Sequence, residues 1–162
     1  MNVIFFVILS ATLLTIVETL RRKLGVSNNL SRRMAHMGAG IINVVAPTYI
    51  LKAAIIVVNI LFVGILLVGR KGDYLSSILN VSRRTYGDVL FPLGIVLAAT
   101  ILLPQSMPAF QYGVAVMGIS DALAGFVGER WGKKRVYILK NHKTLTGSIV
   151  FYISTLIITF FF

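Results

Sequence analysis

A chain of 162 residues that is 57% hydrophobic and only 13% charged, with a mean hydropathy of +0.87, falls outside the range of ordinary soluble domains. It carries 16 Lys and Arg against 5 Asp and Glu, a formal net charge of +11, and no cysteine, which excludes disulfides, thiolate catalysis and thiolate metal sites together. The length allows one domain over residues 1–162 and no separate soluble catalytic module, so any chemistry must use residues at helix ends and in loops.

Six apolar runs approach the ~20 residues that a helix needs to cross a bilayer. The first, about residues 2–20, leads directly into Arg21 with no small-residue cleavage site after it, so it reads as a retained helix rather than a signal peptide. Glu18 precedes Arg21 and Arg22 by three and four positions, the spacing of an intrahelical salt bridge. The second and third runs, about 34–50 and 53–69, are separated by a tight turn around Lys52 and form a helical hairpin, with Pro47 kinking the end of the second. The fourth covers about 88–103 and stops at Pro104, the fifth about 109–127 and the sixth about 145–162.

Apart from Lys52, the Lys and Arg residues fall between these runs in three segments. Arg21, Arg22, Lys23, Arg32 and Arg33 make the first, and Arg70, Lys71, Arg83 and Arg84 the second. Arg130, Lys133, Lys134, Arg135, Lys140 and Lys143 make the third. With the amino terminus outside, all three are cytoplasmic, as the bias of positive charge toward that side requires. The fold expected is therefore an all-α integral membrane protein of about six transmembrane helices with its basic loops in the cytoplasm. The plain reading of the charge is this topological rule together with attraction to anionic lipid. The functional reading is a polyanion site, because helices two, four and six start at that surface behind Arg32 and Arg33, Arg83 and Arg84, and Lys143, and point amides and positive dipole ends toward it.

Among the acidic residues Asp121 stands apart. It lies in the fifth run about six residues before its cytoplasmic end, roughly 9 Å inside, where an ionisable group marks a functional site or a pair with arginine. Spacings of four, three and four place Asp121, Gly125, Gly128 and Gly132 on one helical face, while Gly118, Ala122 and Gly125 form a small-residue stripe suited to close helix packing. Asp88 opens the fourth run as an N-cap. His36, Gly40 and Asn43 share a face of the second run, with Arg32 one turn earlier; Asn59 reads as an interhelical hydrogen-bond partner, and His142 as a surface residue. A carboxylate at the membrane edge, glycines around it, further acids at Asp88 and Glu129, and converging cations suit phosphoryl transfer. That reaction needs a divalent metal on carboxylates, cations for the phosphate oxygens and a positioned nucleophile. The sequence has no GxxxxGK[ST] string, which excludes an obvious P-loop. The acceptor is expected to be amphiphilic, with its hydroxyl at the interface and its chain between helices.

At these residues the chain resembles the CTP-dependent polyprenol and lipid kinases, a family that includes dolichol kinase, phytol kinase and the CTP-using diacylglycerol kinase. Four ordered blocks carry the resemblance: SRRMAHMGAG from Ser31, RRTYGDVLFPLG from Arg83, DALAGFVGERWGKKR from Asp121 and KTLTGS from Lys143. The third is the most specific. Two departures stand out: Thr146 occupies a place where the family commonly has glutamate, and the chain ends at Phe162 where larger members continue through a further membrane segment, so it is read as a short or shortened member.

The resemblance implies transfer of the γ-phosphoryl group of CTP, with Mg2+, to a membrane-embedded alcohol: an isoprenoid alcohol of phytol, geranylgeraniol or dolichol type, or diacylglycerol. Asp121 is the expected metal ligand or the base for the hydroxyl proton, with Asp88 and Glu129 as further metal ligands. Lys143, Arg130, Lys133 and Lys134 are the expected phosphate contacts, joined by Arg33, Arg84 and the glycines Gly125, Gly128, Gly132 and Gly147. His36, Tyr86 and Asn43 line the acceptor side. Two alternatives stand beside this: a CTP-dependent lipid cytidylyltransferase, which releases pyrophosphate, and a non-catalytic membrane subunit that binds anionic lipid. No nucleic-acid partner is expected, and the membrane is the plasma membrane for a prokaryotic source.

Overall fold

The structure, a computed structural model, describes residues 3–69, 87–133, 135–138 and 141–162, with backbone alone for 135–138, 141 and 142. Helix α1 (Val3–Leu24) runs past its expected end and takes Arg21, Arg22 and Lys23 into its last turn, where cations suit the negative end of the helix dipole. Glu18 Oε1 pairs with Arg21 Nη2 at 3.4 Å and also with Arg22, as the spacing implies. Gly25, at φ +64°, then reverses the chain. Ser27 caps α2 (Asn28–Val45), its side chain accepting from the Leu30 amide. Helix α2 therefore starts before Arg32 and Arg33 rather than behind them, so that pair lies inside the helix and not ahead of its first free amides. A 3-10 turn, Ala46–Thr48, holds Pro47 and ends α2.

Helix α3 (Lys52–Gly69) follows, and α4 (Gly87–Ile101) continues unbroken through Pro92. Ser106 caps α5 (Met107–Trp131), whose two regular segments, Met107–Ala115 and Asp121–Trp131, are joined by a π-helical turn at Val116–Ser120. To the expected helices the structure adds an antiparallel hairpin, β1 (Arg135–Ile138) and β2 (Asn141–Thr144), with Arg135 opposite Thr144. The β-branched and aromatic residues Val136, Tyr137 and Ile138 favour that strand. Thr144 caps α6 (Leu145–Thr159). The protein is thus helical, and α1 and α5 are long and apolar enough to cross a bilayer, whereas α4 and α6, at 15 residues, reach only about 22 Å each.

Helices α1, α4 and α5 pack against α2, α3 packs along α4, and α6 packs along α5. The α2–α5 seam is antiparallel: Gln111 Nε2 donates to the Val44 carbonyl at 2.8 Å near one end, Gly118 meets Gly40 in the middle, and Arg33 reaches Gly125 at the other. At the crossing a Cβ on Gly40 would lie 2.9 Å from Gly118 Cα, and one on Gly118 2.8 Å from Gly40 Cα. The two backbones touch, which is the close packing expected at Gly118.

Between α2 and α3, Asn59 Nδ2 donates to Asn43 Oδ1 and to the Ile55 carbonyl, both at 2.9 Å. Such a buried amide pair contributes about 0.6–2 kcal/mol to helix association in lipid. One apolar cluster, built on Phe6, Ile55, Ile95 and Phe110, fills the end near Lys52. A second, of Val17, Ala35, Leu66 and Val89, fills the opposite end. There the described cations Arg21, Arg22, Lys23, Arg32, Arg33, Arg130, Lys133 and Lys143 gather, while Lys52 lies at the far end. Large apolar side chains such as Ile4, Val68 and Leu97 cover the outer surface, which suits a membrane protein.

The crossing gives a direct test. Gly118→Val is expected to lower unfolding stability by about 2–3 kcal/mol through overpacking, read as a fall in the midpoint temperature of the detergent-solubilised protein. Gly64→Val serves as a control, because a Cβ there meets nothing within 4 Å among the described residues; equal behaviour of the two variants would contradict backbone contact at Gly118.

Candidate functional site

Arg33 is the pivot of the charged end. Its Nη2 donates to Glu129 Oε1 at 2.6 Å, joining α2 to α5, and its guanidinium lies over Gly125 so closely that a Cβ at that position would collide with it. Asp121, Gly125 and Glu129 are spaced by four, so the guanidinium occupies a glycine notch on a helix face that carries a carboxylate one turn to either side. Gly125 thus serves a cation, not helix packing. Glu129, expected as a metal ligand, is engaged by Arg33.

Asp121 is the first residue after the π-helical turn and is exposed, with Ser120 beneath it fully buried. Turns of this kind interrupt a helix's own hydrogen bonding and are frequent at functional positions. The regular segment it opens runs 11 residues to Trp131, so Asp121 lies about 15 Å from the helix end, deeper than the sequence suggested.

On the other side of α2 lies a chamber framed by α1, α2, α3 and α4 and lined mainly by apolar side chains, with His36, Asp88, Asn43 and Asn59 among its walls. The His36 ring stacks on Phe91, centroids 4.6 Å apart and planes 7° from parallel. Its Nε2 is buried and has no hydrogen-bond partner among the described residues. Asp88, expected as a cap, lies in the first turn of α4 but is only 4% exposed and forms part of the chamber wall. A Cβ on Gly118 would lie 3.3 Å from the His36 carbonyl oxygen, so His36 also borders α5 just ahead of Asp121, with Arg32 and Arg33 one turn back on α2. His36 therefore sits at a junction, with the apolar chamber on one side and the charged end of the bundle on the other. Asn43 also lines the chamber, with its amide tied to Asn59 and to the Ala39 carbonyl.

The remaining expected contacts cluster where α5 meets the hairpin and α6. A Cβ on Gly128 would lie 2.6 Å from Thr144 Oγ1 and 3.2 Å from Gly147 Cα, and Gly132 is equally closed by Thr144. These glycines admit the hairpin and the start of α6, so the glycine face divides: Gly125 serves Arg33, while Gly128 and Gly132 serve Thr144. Arg130 is exposed and stands 5.5 Å from the centre of the Trp131 ring, and Lys133 and Lys143 are exposed as well. Lys143 belongs to β2, one residue before the cap of α6. Arg84, Tyr86 and Lys134 lie outside the described residues, as do Arg83, Lys140 and the side chain of His142.

Asp88, Asp121 and Glu129 do not form one metal cage: among the described residues no three His, Asp or Glu side chains form a cluster that could hold a metal ion. Asp88 and Asp121 offer hard oxygen donors of the kind magnesium takes, but they come from different helices, α4 and α5. Sequence reasoning missed Phe91 and the wall supplied by α1. The recurrence of Phe6, Ser10, Leu13 and Leu14 at helical spacing was the available signal for that wall.

No family model matches the chain, and no solved structure matches it. It is similar to a curated protein of Synechocystis sp. named Phytol kinase, with 27% identity over 135 residues that cover 82% of this chain. The chain spans 58% of that relative's length. This similarity bears out the resemblance to the CTP-dependent lipid kinase family.

The Arg33–Glu129 pair has side-chain exposures of 17% and 51%. Solvent screening on the Glu129 side limits its worth, so Glu129→Gln is expected to cost less than about 1 kcal/mol of stability in thermal unfolding. A loss several times larger would show that the pair holds the bundle together rather than orienting Arg33.

Proposed function

We propose that this chain is a membrane-embedded lipid-alcohol kinase that transfers the γ-phosphoryl group of CTP to the hydroxyl of an isoprenoid alcohol, or of diacylglycerol, at the cytoplasmic membrane face. The observation that carries the reading is the His36 junction: an apolar chamber for a lipid chain and a cationic end for a nucleoside triphosphate meet at one side chain. Similarity to a protein named Phytol kinase supports the same reaction class.

In this reading Arg33, held over Gly125, and the exposed Arg130, Lys133 and Lys143 bind the phosphates, joined by Arg84 and Lys134. Guanidinium forks and ammonium groups offset the charge on the phosphate oxygens. Magnesium bound by Asp121 and Asp88 would supply further neutralisation of that charge. In this reading the proton leaving the acceptor hydroxyl ends on Asp121, and the chamber walls keep water from competing for the phosphoryl group. The bundle is a multi-pass membrane protein with its amino terminus outside and its basic end in the cytoplasm.

Incubating the protein with γ-labelled CTP, magnesium and a panel of lipid alcohols is expected to yield a labelled lipid monophosphate. Asp121→Asn is expected to reduce the rate about 100-fold or more, the scale of losing a positioned acid–base group. Label entering lipid from α-labelled CTP alone would indicate a cytidylyltransferase instead. Silence with both labels would favour a non-catalytic lipid-binding subunit.

A further inference from the structure

Resting on that reading, we propose that the chamber between α1, α2, α3 and α4 is the acceptor site and takes a single-chain isoprenoid alcohol, its hydroxyl donating to His36 Nε2 and its chain running toward Asn43 and Asn59. Leaving a buried imidazole nitrogen without a partner is unfavourable. A hydroxyl entering the chamber supplies the bond that Nε2 lacks, with the ring proton on Nδ1. Stacking on Phe91 fixes the ring plane, so the hydroxyl meets a rigid acceptor rather than a mobile one.

From His36 to Asn43 is two turns of α2, about 10 Å, enough for the first isoprene units. Leu13 and Leu14 of α1, Phe62 of α3 and Pro92 of α4 frame this stretch. The two core clusters bound it above and below: Leu66 belongs to one, and Phe6 and Val58 to the other. These walls belong to one pocket, and two acyl chains diverging from a glycerol unit would need a second, which disfavours diacylglycerol. The amides of Asn43 and Asn59 are committed to each other and to backbone carbonyls, so they end the apolar stretch without offering a competing anchor for the hydroxyl.

The test is photolabelling of the full chain in nanodiscs with a geranylgeraniol analogue carrying a diazirine close to its hydroxyl, followed by peptide mapping. Adducts are expected on Leu13, Leu14 or Phe62, and unlabelled phytol should suppress them where dioleoylglycerol does not. Ser10→Phe, which fills the chamber from α1, should reduce labelling about tenfold, the effect of roughly 1.4 kcal/mol of lost binding, while Ser10→Ala should not. The wild-type map decides the location without any variant. Adducts confined to outward-facing residues such as Leu97 or Tyr152 would overturn the assignment, and equal suppression by dioleoylglycerol would overturn the single-chain selectivity. The two readings fail separately: γ-phosphoryl transfer with adducts elsewhere removes the chamber, whereas chamber adducts without transfer from any labelled nucleotide remove the kinase.

Discussion

The contact between the backbones of α2 and α5 at Gly40 and Gly118 sets the geometry of everything at the charged end. Side chains at either position would hold the helices apart, and Arg33, two turns from Gly40, would then fall short of its notch at Gly125. The same crossing brings α2 beside the π-helical turn, so that the next residue of α5, Asp121, emerges just past the point where α5 borders His36. One close approach thereby aligns a cation, a carboxylate and an imidazole that come from distant parts of the sequence.

Helix α2 divides two environments. Toward α5 and the hairpin it presents Arg33 to a largely exposed charged surface, a setting in which water and salt moderate each interaction. Toward α1, α3 and α4 it presents His36 and Asn43 to a chamber of mostly hydrocarbon, where a polar group is costly unless bonded. One helix thus carries different chemistry on its two sides.

The six described helices were legible in the hydropathy pattern, and residue spacing and charge showed the Glu18 salt bridge, the pairing of Asn59 and the gathering of cations at one end. The start of α2 was not, because hydropathy marks where lipid-facing residues begin, whereas hydrogen bonding begins at the Ser27 cap through a polar first turn. Equal spacing suggested that Asp121, Gly125, Gly128 and Gly132 act as one face, but neighbours from two different elements divide it. Nothing in the sequence announces a π-helical turn ahead of Asp121. Glu129 was read as a metal ligand because a lone acid among cations invites that role; only the fold reveals that a cation from α2 reaches it first.

Thr144 has three attachments: it is the last residue of β2, its hydroxyl accepts from the Gly147 amide to cap α6, and its side chain closes over Gly128 and Gly132. Homologous chains therefore have little freedom to drift independently at these four positions. A larger residue at 128 calls for a smaller one at 144, one at 132 meets the Gly128 carbonyl as well as Thr144, and loss of the hydroxyl at 144 leaves the first turn of α6 in search of another acceptor. The quartet should behave as an inherited unit, so anyone grafting the hairpin onto another bundle must carry all four residues with it.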